Sequence, residues 1–238
     1  MNTLFELPTA NPKHPAKYTD VLLGAFVRML ADSTCILDPF GGTGKVFLLN
    51  RWYPHAEIQA TEIEPEWAAI NPRTTLANAL VLPWQDNYFD AVCTSPTYGN
   101  RMADELLDGY DRITYTAKLG RKLNADNSGS MQWGKEYRDF HTKAWQEATR
   151  VLRIGGVFVL NIKNHIRNGQ EQFVTEWHIE TILSLGYEVV EHLKINTPSM
   201  RFGQNSEKRI EYESVIKLSL KSKRPLEYSE NENVKKTI

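Results

Sequence analysis

The sequence predicts an α/β fold built on one doubly wound, mostly parallel sheet of seven strands. Two observations carry this. Apolar runs rich in β-branched and aromatic residues recur at 35–38, 57–61, 89–93, 157–163, 187–193 and 213–220, with a weaker one at 76–83. Between most of them lie stretches with apolar residues at helical spacing. A chain of 238 residues suits one such domain with a full core and is too short for two large ones.

Composition narrows the class. Hydrophobic residues at 41% and charged residues at 24% are ordinary for a globular protein. The two cysteines, Cys35 and Cys93, both sit in apolar strand-like runs, without a Cys-x-x-Cys or histidines at ligand spacing. That reads as buried thiols in a reducing compartment, with no zinc site and no disulfide framework. Residues 1–8 lack a basic segment followed by an apolar one, and no apolar run is long enough for a membrane span. A cytoplasmic protein is therefore expected. A net charge of −1 argues against nonspecific coating of nucleic acid, though not against an enzyme with a local basic face.

In chain order, residues 1–13 read as a polar arm, followed by His14-Pro15-Ala16-Lys17-Tyr18. A helix then carries Val21, Leu22, Ala25, Phe26, Met29 and Leu30 on one stripe, with Thr19 as N-cap. The first strand, Cys35-Ile36-Leu37-Asp38, runs into Pro39-Phe40-Gly41-Gly42-Thr43-Gly44 and a helix over 45–52. Glycines there allow close backbone approach to a ligand, and the helix start offers free N–H groups. A triphosphate-binding loop fails, because Pro39 stands where its first glycine belongs and Val46 follows Lys45. The dinucleotide fingerprint fails as well, with Phe47 in place of its third glycine. The second strand ends at Glu62, about twenty residues after the loop, where doubly wound folds grip a ribose diol. Glu64 competes for that role.

A helix begins near Pro65, the weak third strand follows, and Asp86-Asn87-Tyr88 turns into the strand Phe89-Asp90-Ala91-Val92-Cys93. That strand ends in Thr94-Ser95-Pro96-Thr97-Tyr98, a tight turn. Residues 99–135 break the alternation. They carry Arg112, Lys118, Arg121 and Lys122 without an intervening acid, interleaved with Tyr110 and Tyr115, and then a polar, flexible-looking stretch at 124–130. A connection of this length is more often functional than idle. A helix over 137–152 places Tyr137, Phe140, Ala144, Ala148 and Val151 on one core face, and Gly155-Gly156 turns into the strand 157–163. Lys163, Asn164 and His165 stand at that strand's carboxyl end. His165 fits a structural or solvated role better than that of general base. A helix over 171–185, two strands and a loose polar tail at 223–238 complete the chain.

The loop Asp38-Pro39-Phe40-Gly41-Gly42-Thr43-Gly44 and the turn Ser95-Pro96-Thr97-Tyr98 together resemble the S-adenosylmethionine-dependent amino-methyltransferases that act on exocyclic amines of DNA bases. The family's cofactor loop, Asp-Pro-Phe-x-Gly-x-Gly, matches in full. Its catalytic turn, (Asp/Asn/Ser)-Pro-Pro-(Tyr/Phe), matches except for Thr97. The resemblance covers roughly residues 12–220. It implies a class I methyltransferase domain at 1–222 whose sheet ends in a reversed hairpin, with 99–135 as a lid that binds nucleic acid. Asp38, Phe40, Gly42, Gly44, Glu62, Asn78 and Lys17 would contact S-adenosyl-L-methionine, with Lys17 closing over its methionine end and Asn78 at its adenine. Ser95, Pro96 and Tyr98 would be catalytic. Tyr98, Arg101, Arg112, Lys118, Arg121 and Lys122 would hold duplex DNA with its flipped base. Serine at the head of the turn favours cytosine N4 over adenine N6. No metal is expected.

These residue types suit the chemistry. The lone pair of an exocyclic amine is delocalised into the base ring, and two acceptors aimed at its protons favour the tetrahedral nitrogen that can attack a methyl group. Ser95 and the Pro96 carbonyl are candidates for that pair. A second proline would stiffen the turn, whereas Thr97 leaves it freer. Two rivals stand beside this reading: an RNA base methyltransferase, and a non-catalytic nucleic-acid-binding module that retains the fold.

Overall fold

The computed structural model describes residues 20–99, 115–197 and 208–224. Lys17, Arg101 and Arg112 lie outside these residues, as do His14, Thr19, Tyr110 and all but the first two residues of the tail.

In chain order the elements are α1 (Asp20–Met29), β1 (Cys35–Asp38), a 3-10 turn (Lys45–Arg51), β2 (Glu57–Glu62), α2 (Pro65–Ala68), β3 (Thr74–Leu76) and β4 (Phe89–Thr94). Then come α3 (Tyr115–Leu119), a 3-10 turn (Ser128–Ser130), α4 (Lys135–Val151), β5 (Leu152–Ile162), β6 (His165–Arg167) and β7 (Gln170–Gln172). The last are α5 (Val174–Ser184), β8 (Tyr187–Asn196) and β9 (Tyr212–Leu220). A seven-stranded sheet forms in the order β3-β2-β1-β4-β5-β9-β8. All neighbours pair in parallel up to β5, whereas β9 is antiparallel to both β5 and β8. This is the predicted doubly wound sheet with its reversed C-terminal hairpin.

The period-two alternation of the strands feeds two cores. Ile36, Ala91, Cys93, Val159 and Val215 pack with Leu22, Phe26 and Met29 of α1 and with Val46, Phe47 and Leu49. On the opposite face, Leu37, Val92, Phe158, Leu160, Ile216 and Leu218 pack with Tyr137, Ala144, Trp145 and Ala148 of α4 and with Val174 and Ile182 of α5. Burying a side chain the size of Leu or Phe contributes about 1.5–3 kcal/mol, so the sheet is fixed from both sides.

Several expectations are corrected. Val21 is 62% exposed, because Leu22, Ala25, Phe26 and Met29 already fill the arc that faces the sheet. The helix expected over 45–52 is a 3-10 turn of seven residues, Lys45–Arg51, that follows Gly44 in the left-handed conformation (φ 80°). The third strand is Thr74–Leu76 rather than 76–83, since the Asn78 side chain accepts the Leu80 N–H and diverts the backbone. The helix α4 passes directly into β5 at Leu152, with Gly155 (φ 83°) inside the strand rather than before it. The helix expected over 171–185 begins only at Val174, because Asn168 (φ 51°) and Gly169 (φ 74°) close a two-residue hairpin between β6 and β7.

Candidate functional site

The carboxyl ends of β1, β2, β4 and β5 and the opening residues of β9 share one rim, and there they enclose a cavity of about 310 Å³. Ligands bind at this edge in open α/β sheets, and the volume lies at the lower end of small-molecule sites.

The glycine loop forms one wall through Phe40, Gly41, Gly42 and Thr43. The loop lies close against β2: a Cβ on Gly41 would meet Ala60 Cβ at 2.7 Å and Thr61 O at 3.2 Å. Asp38 and Gly44 are not on the cavity wall. The buried Asp38 carboxylate accepts the Phe40 N–H (3.0 Å) and the Thr94 hydroxyl (2.7 Å), so it ties the loop to β4 from behind. Phe40 is held by aromatic contacts from α4, lying over His141 at 5.7 Å and edge-on to Trp145 at 5.8 Å.

Glu62 at the tip of β2 lines the cavity and accepts the Glu64 N–H at 2.8 Å. Burial pushes its carboxyl up to about 7, helped by the Glu64 and Asp38 carboxylates and opposed by backbone N–H groups. Glu64 does a different job. Fully buried and off the cavity wall, it accepts from Asn124 N (2.7 Å), Asn127 Nδ2 (2.8 Å) and Arg121 Nη2 (2.7 Å). The stretch 124–130, expected to be flexible, is thus anchored by a carboxylate sixty residues earlier in the chain. Its Asn127 and Ser128 are buried and line the cavity. Asn78 also lines it, donating to Asp126 Oδ2 at 2.9 Å.

At the end of β4, Ser95, Pro96, Thr97 and Tyr98 all line the same cavity as the glycine loop. Tyr98 donates its hydroxyl to Glu213 Oε2 at 3.0 Å and lies 3.2 Å from Ser95 Oγ. Burial and the Glu213 charge hold the phenol well above its usual range, so it stays neutral. The turn is not free at Thr97. Thr97 Oγ1 donates to Ser128 Oγ at 2.9 Å, and its carbonyl accepts the Tyr137 hydroxyl. Behind that bond, Trp145 Nε1 donates to His178 Nδ1 (2.9 Å), which leaves His178 Nε2 to donate to Tyr137 Oη (3.0 Å). Burial keeps His178 neutral for this relay. Fixed hydrogen bonds replace the stiffness of a second proline.

The basic residues of the insertion divide. Arg121 is paired with Glu64 and with Glu66 (2.6 Å), so its charge is already compensated within the fold. Lys118 lies in α3, whose Tyr115 is buried against Trp67 and lines the cavity. Lys122 is exposed beside Arg121, whose Nη1 donates to its carbonyl oxygen at 2.9 Å. His165 is not on the cavity wall, and burial lowers it to about 4. Two residues that sequence reasoning did not single out complete the wall, Asn161 from β5 and Glu213 from β9. The visible signals were an asparagine inside the apolar run 157–162 and a glutamate heading the last strand. Among the described residues no set of three His, Cys, Asp or Glu side chains gathers as metal ligands. No described helix is long and apolar enough to cross a membrane.

No protein-family model and no curated protein sequence matches the chain. Solved structures do match. A SAM-dependent methyltransferase from Methanosarcina mazei aligns with a TM-score of 0.54 at 12% identity, over 87% of this chain and 99% of that one. The [4+2]-cyclase SpnF gives 0.53 at 13% identity, over 85% and 81%. The N-methyltransferase NodS from Bradyrhizobium japonicum gives 0.50 at 10% identity, over 85% and 96%. A cyclase among these neighbours illustrates that a shared fold does not fix a reaction. What the likeness establishes is architecture: this chain has the seven-stranded α/β fold of the class I methyltransferases.

Proposed function

We propose that the protein transfers a methyl group from S-adenosyl-L-methionine to the exocyclic amine of a DNA base, with cytosine N4 favoured. The observation that carries this is the convergence of the glycine loop and the Ser95-Pro96-Thr97-Tyr98 turn on one cavity. The residues present fit the cofactor. Three carboxylates, Glu62, Asp126 and Glu213, face one ammonium, Lys45, so the cavity favours a cationic sulfonium over an anionic ligand. Glu62 supplies acceptors for a ribose diol, Ile63 and Trp67 give apolar surface, and Asn78 with Asp126 lies where an adenine edge would be read.

Bound there, the cofactor supplies an electrophilic methyl group, transferred as the nitrogen–carbon bond forms and the methyl–sulfur bond breaks, the electron pair staying on sulfur. Ser95 Oγ and the Pro96 carbonyl serve as acceptors for the amine protons and favour a tetrahedral nitrogen. Tyr98, its hydroxyl held by Glu213 and Asn161, offers a fixed ring on which an extruded base can stack. Positioning contributes much of the acceleration. Lys118 in α3 and Lys122 just after it are then the candidates for phosphate contacts among the described residues.

The test is tritiated methyl transfer to duplex DNA, single-stranded DNA and tRNA, followed by identification of the methylated nucleoside by mass spectrometry. Transfer to DNA yielding a methylated amine is expected, and transfer confined to RNA or to no nucleic acid would overturn the reading. Ser95→Ala should lower turnover about a hundredfold while cofactor affinity stays near that of the parent. Unchanged turnover would remove Ser95 from its role.

A further inference from the structure

Among the groups that the proposed mechanism uses only to hold Tyr98, one is a buried polar hub. Asn161, 1% exposed, points Nδ2 at Ser95 Oγ (3.1 Å), Tyr98 Oη (3.0 Å) and Glu213 Oε2 (2.8 Å). Its Oδ1 is buried without a hydrogen-bond partner among the described residues. Rotating the amide would relieve nothing, because Oδ1 would then face the Glu213 carboxylate at hydrogen-bond distance. The amide orientation is therefore set by Glu213. Glu213 in turn takes both donors, Tyr98 and Asn161, on Oε2. No hydrogen bond from a described residue reaches its Oε1. A carboxylate on the cavity wall, fixed through one oxygen and open at the other, beside the serine of the turn, is arranged to meet a hydrogen-bond donor.

We propose that Glu213 is a further catalytic residue of this site: its Oε1 shares with Ser95 Oγ the amine proton on that side, the Pro96 carbonyl holding the other, and takes that shared proton as the one the nitrogen must lose. Asn161 is the positioning residue that holds the Glu213 carboxylate and Ser95 in register. The inference rests on the reading of the cavity as a site of methyl transfer to an amine, and it deepens that reading. The balance closes: the nitrogen gains a methyl group and loses one proton, the carboxylate becomes a carboxylic acid, and that proton passes to solvent once the product has left. The same oxygen selects the acceptor. A base bearing an amino group presents a donor to Oε1, whereas its oxo counterpart presents a lone pair to a negative charge.

The experiment compares binding of deoxycytidine with deoxyuridine, and of deoxyadenosine with deoxyinosine, to the full chain saturated with S-adenosylhomocysteine. Saturation-transfer NMR and calorimetry are the readouts. The parent protein should prefer the amino member of at least one pair by about tenfold or more. In Glu213→Gln the amide oxygen can keep both bonds from Tyr98 and Asn161, and the NH2 group then replaces Oε1. The preference should vanish or reverse toward the oxo base, with S-adenosylhomocysteine affinity unchanged. Glu213→Asp retains the charge at a shorter reach and should keep the sign of the preference at reduced size. It also serves if the glutamine variant fails to fold. Asn161→Ala, which releases the carboxylate, should lose preference and turnover together while affinity for S-adenosylhomocysteine holds. An equal affinity of the parent for both members of each pair, binding of none of the four nucleosides, or an undiminished preference in Glu213→Gln would each overturn the assignment. If the preference holds but DNA accepts no methyl group, the DNA reading falls and Glu213 stands.

Discussion

Under the proposed function, Glu62 is one side chain through which cofactor binding is coupled to pH. Its carboxyl is pushed up to about 7 in the folded chain by burial, from an ordinary 4.5. The folded state thus holds a proton that the unfolded chain releases between those values. In that window this group's contribution to stability falls as pH rises, by at most about 1.4 kcal/mol per unit. Binding runs the other way. A ribose diol donates two hydrogen bonds and needs the ionised carboxylate, so cofactor affinity should fall by up to about tenfold per pH unit below about 7. Calorimetry in buffers of different ionisation enthalpy checks this. About half a proton should be released on binding near pH 7. Glu62→Gln should bind more weakly and release none from this group. At the same scale, Thr97 shows how an unexpected residue is accommodated: the proline it replaces restricts the turn covalently, and here Ser128 and Tyr137 restrict it by hydrogen bonds.

Among the elements, the segment 121–130 owes its place to Glu64 rather than to its own sequence. Glu64→Ala leaves the Asn124 N–H and the Asn127 amide without their acceptor and leaves Arg121 to Glu66 and the Lys122 carbonyl. It should destabilise by about 1–3 kcal/mol. Hydrogen exchange should accelerate across 121–130 while β4 stays protected, and uniform acceleration would refute a local anchor. This anchoring was not legible in advance, because a carboxylate and partners sixty residues away carry no local pattern. The strands were legible, since two buried faces demand continuous apolar runs, although the weakest run sat at 74–76 rather than at 76–83. The glycine loop and the serine turn were legible for a related reason, as a tight backbone path restricts the residues that can follow it. The hairpin at Asn168-Gly169 carried a readable signal that the helical spacing after residue 171 obscured. Asn161 and Glu213 were harder. Each looks like a blemish in a strand until the antiparallel pairing of β9 with β5 brings the two side by side.

Across the whole molecule, that antiparallel strand is what completes the site. In a purely parallel sheet every strand would deliver its last residues to the functional rim. Because β9 runs backward, it delivers its first, and Glu213 arrives one residue after the strand begins at Tyr212. The rim therefore has two halves with separate origins. On the proposed reading the cofactor half comes from β1, β2 and the connections that follow them, and the acceptor half from β4, β5 and β9. Such a division predicts separable losses. S-adenosylhomocysteine at about a hundred times its dissociation constant should stabilise the folded chain by about 2.7 kcal/mol, a rise in melting temperature of roughly 5–10 °C for a chain of this size. Glu62→Ala should erase most of that rise. Ser95→Ala and Glu213→Gln should keep it within about 2 °C of the parent shift although both lose methyl transfer, because neither touches the cofactor half. Differential scanning fluorimetry on the three variants decides the matter. If Glu213→Gln lost the shift as fully as Glu62→Ala, the two halves would be one cooperative site, and Glu213 would belong to cofactor binding rather than to the amine.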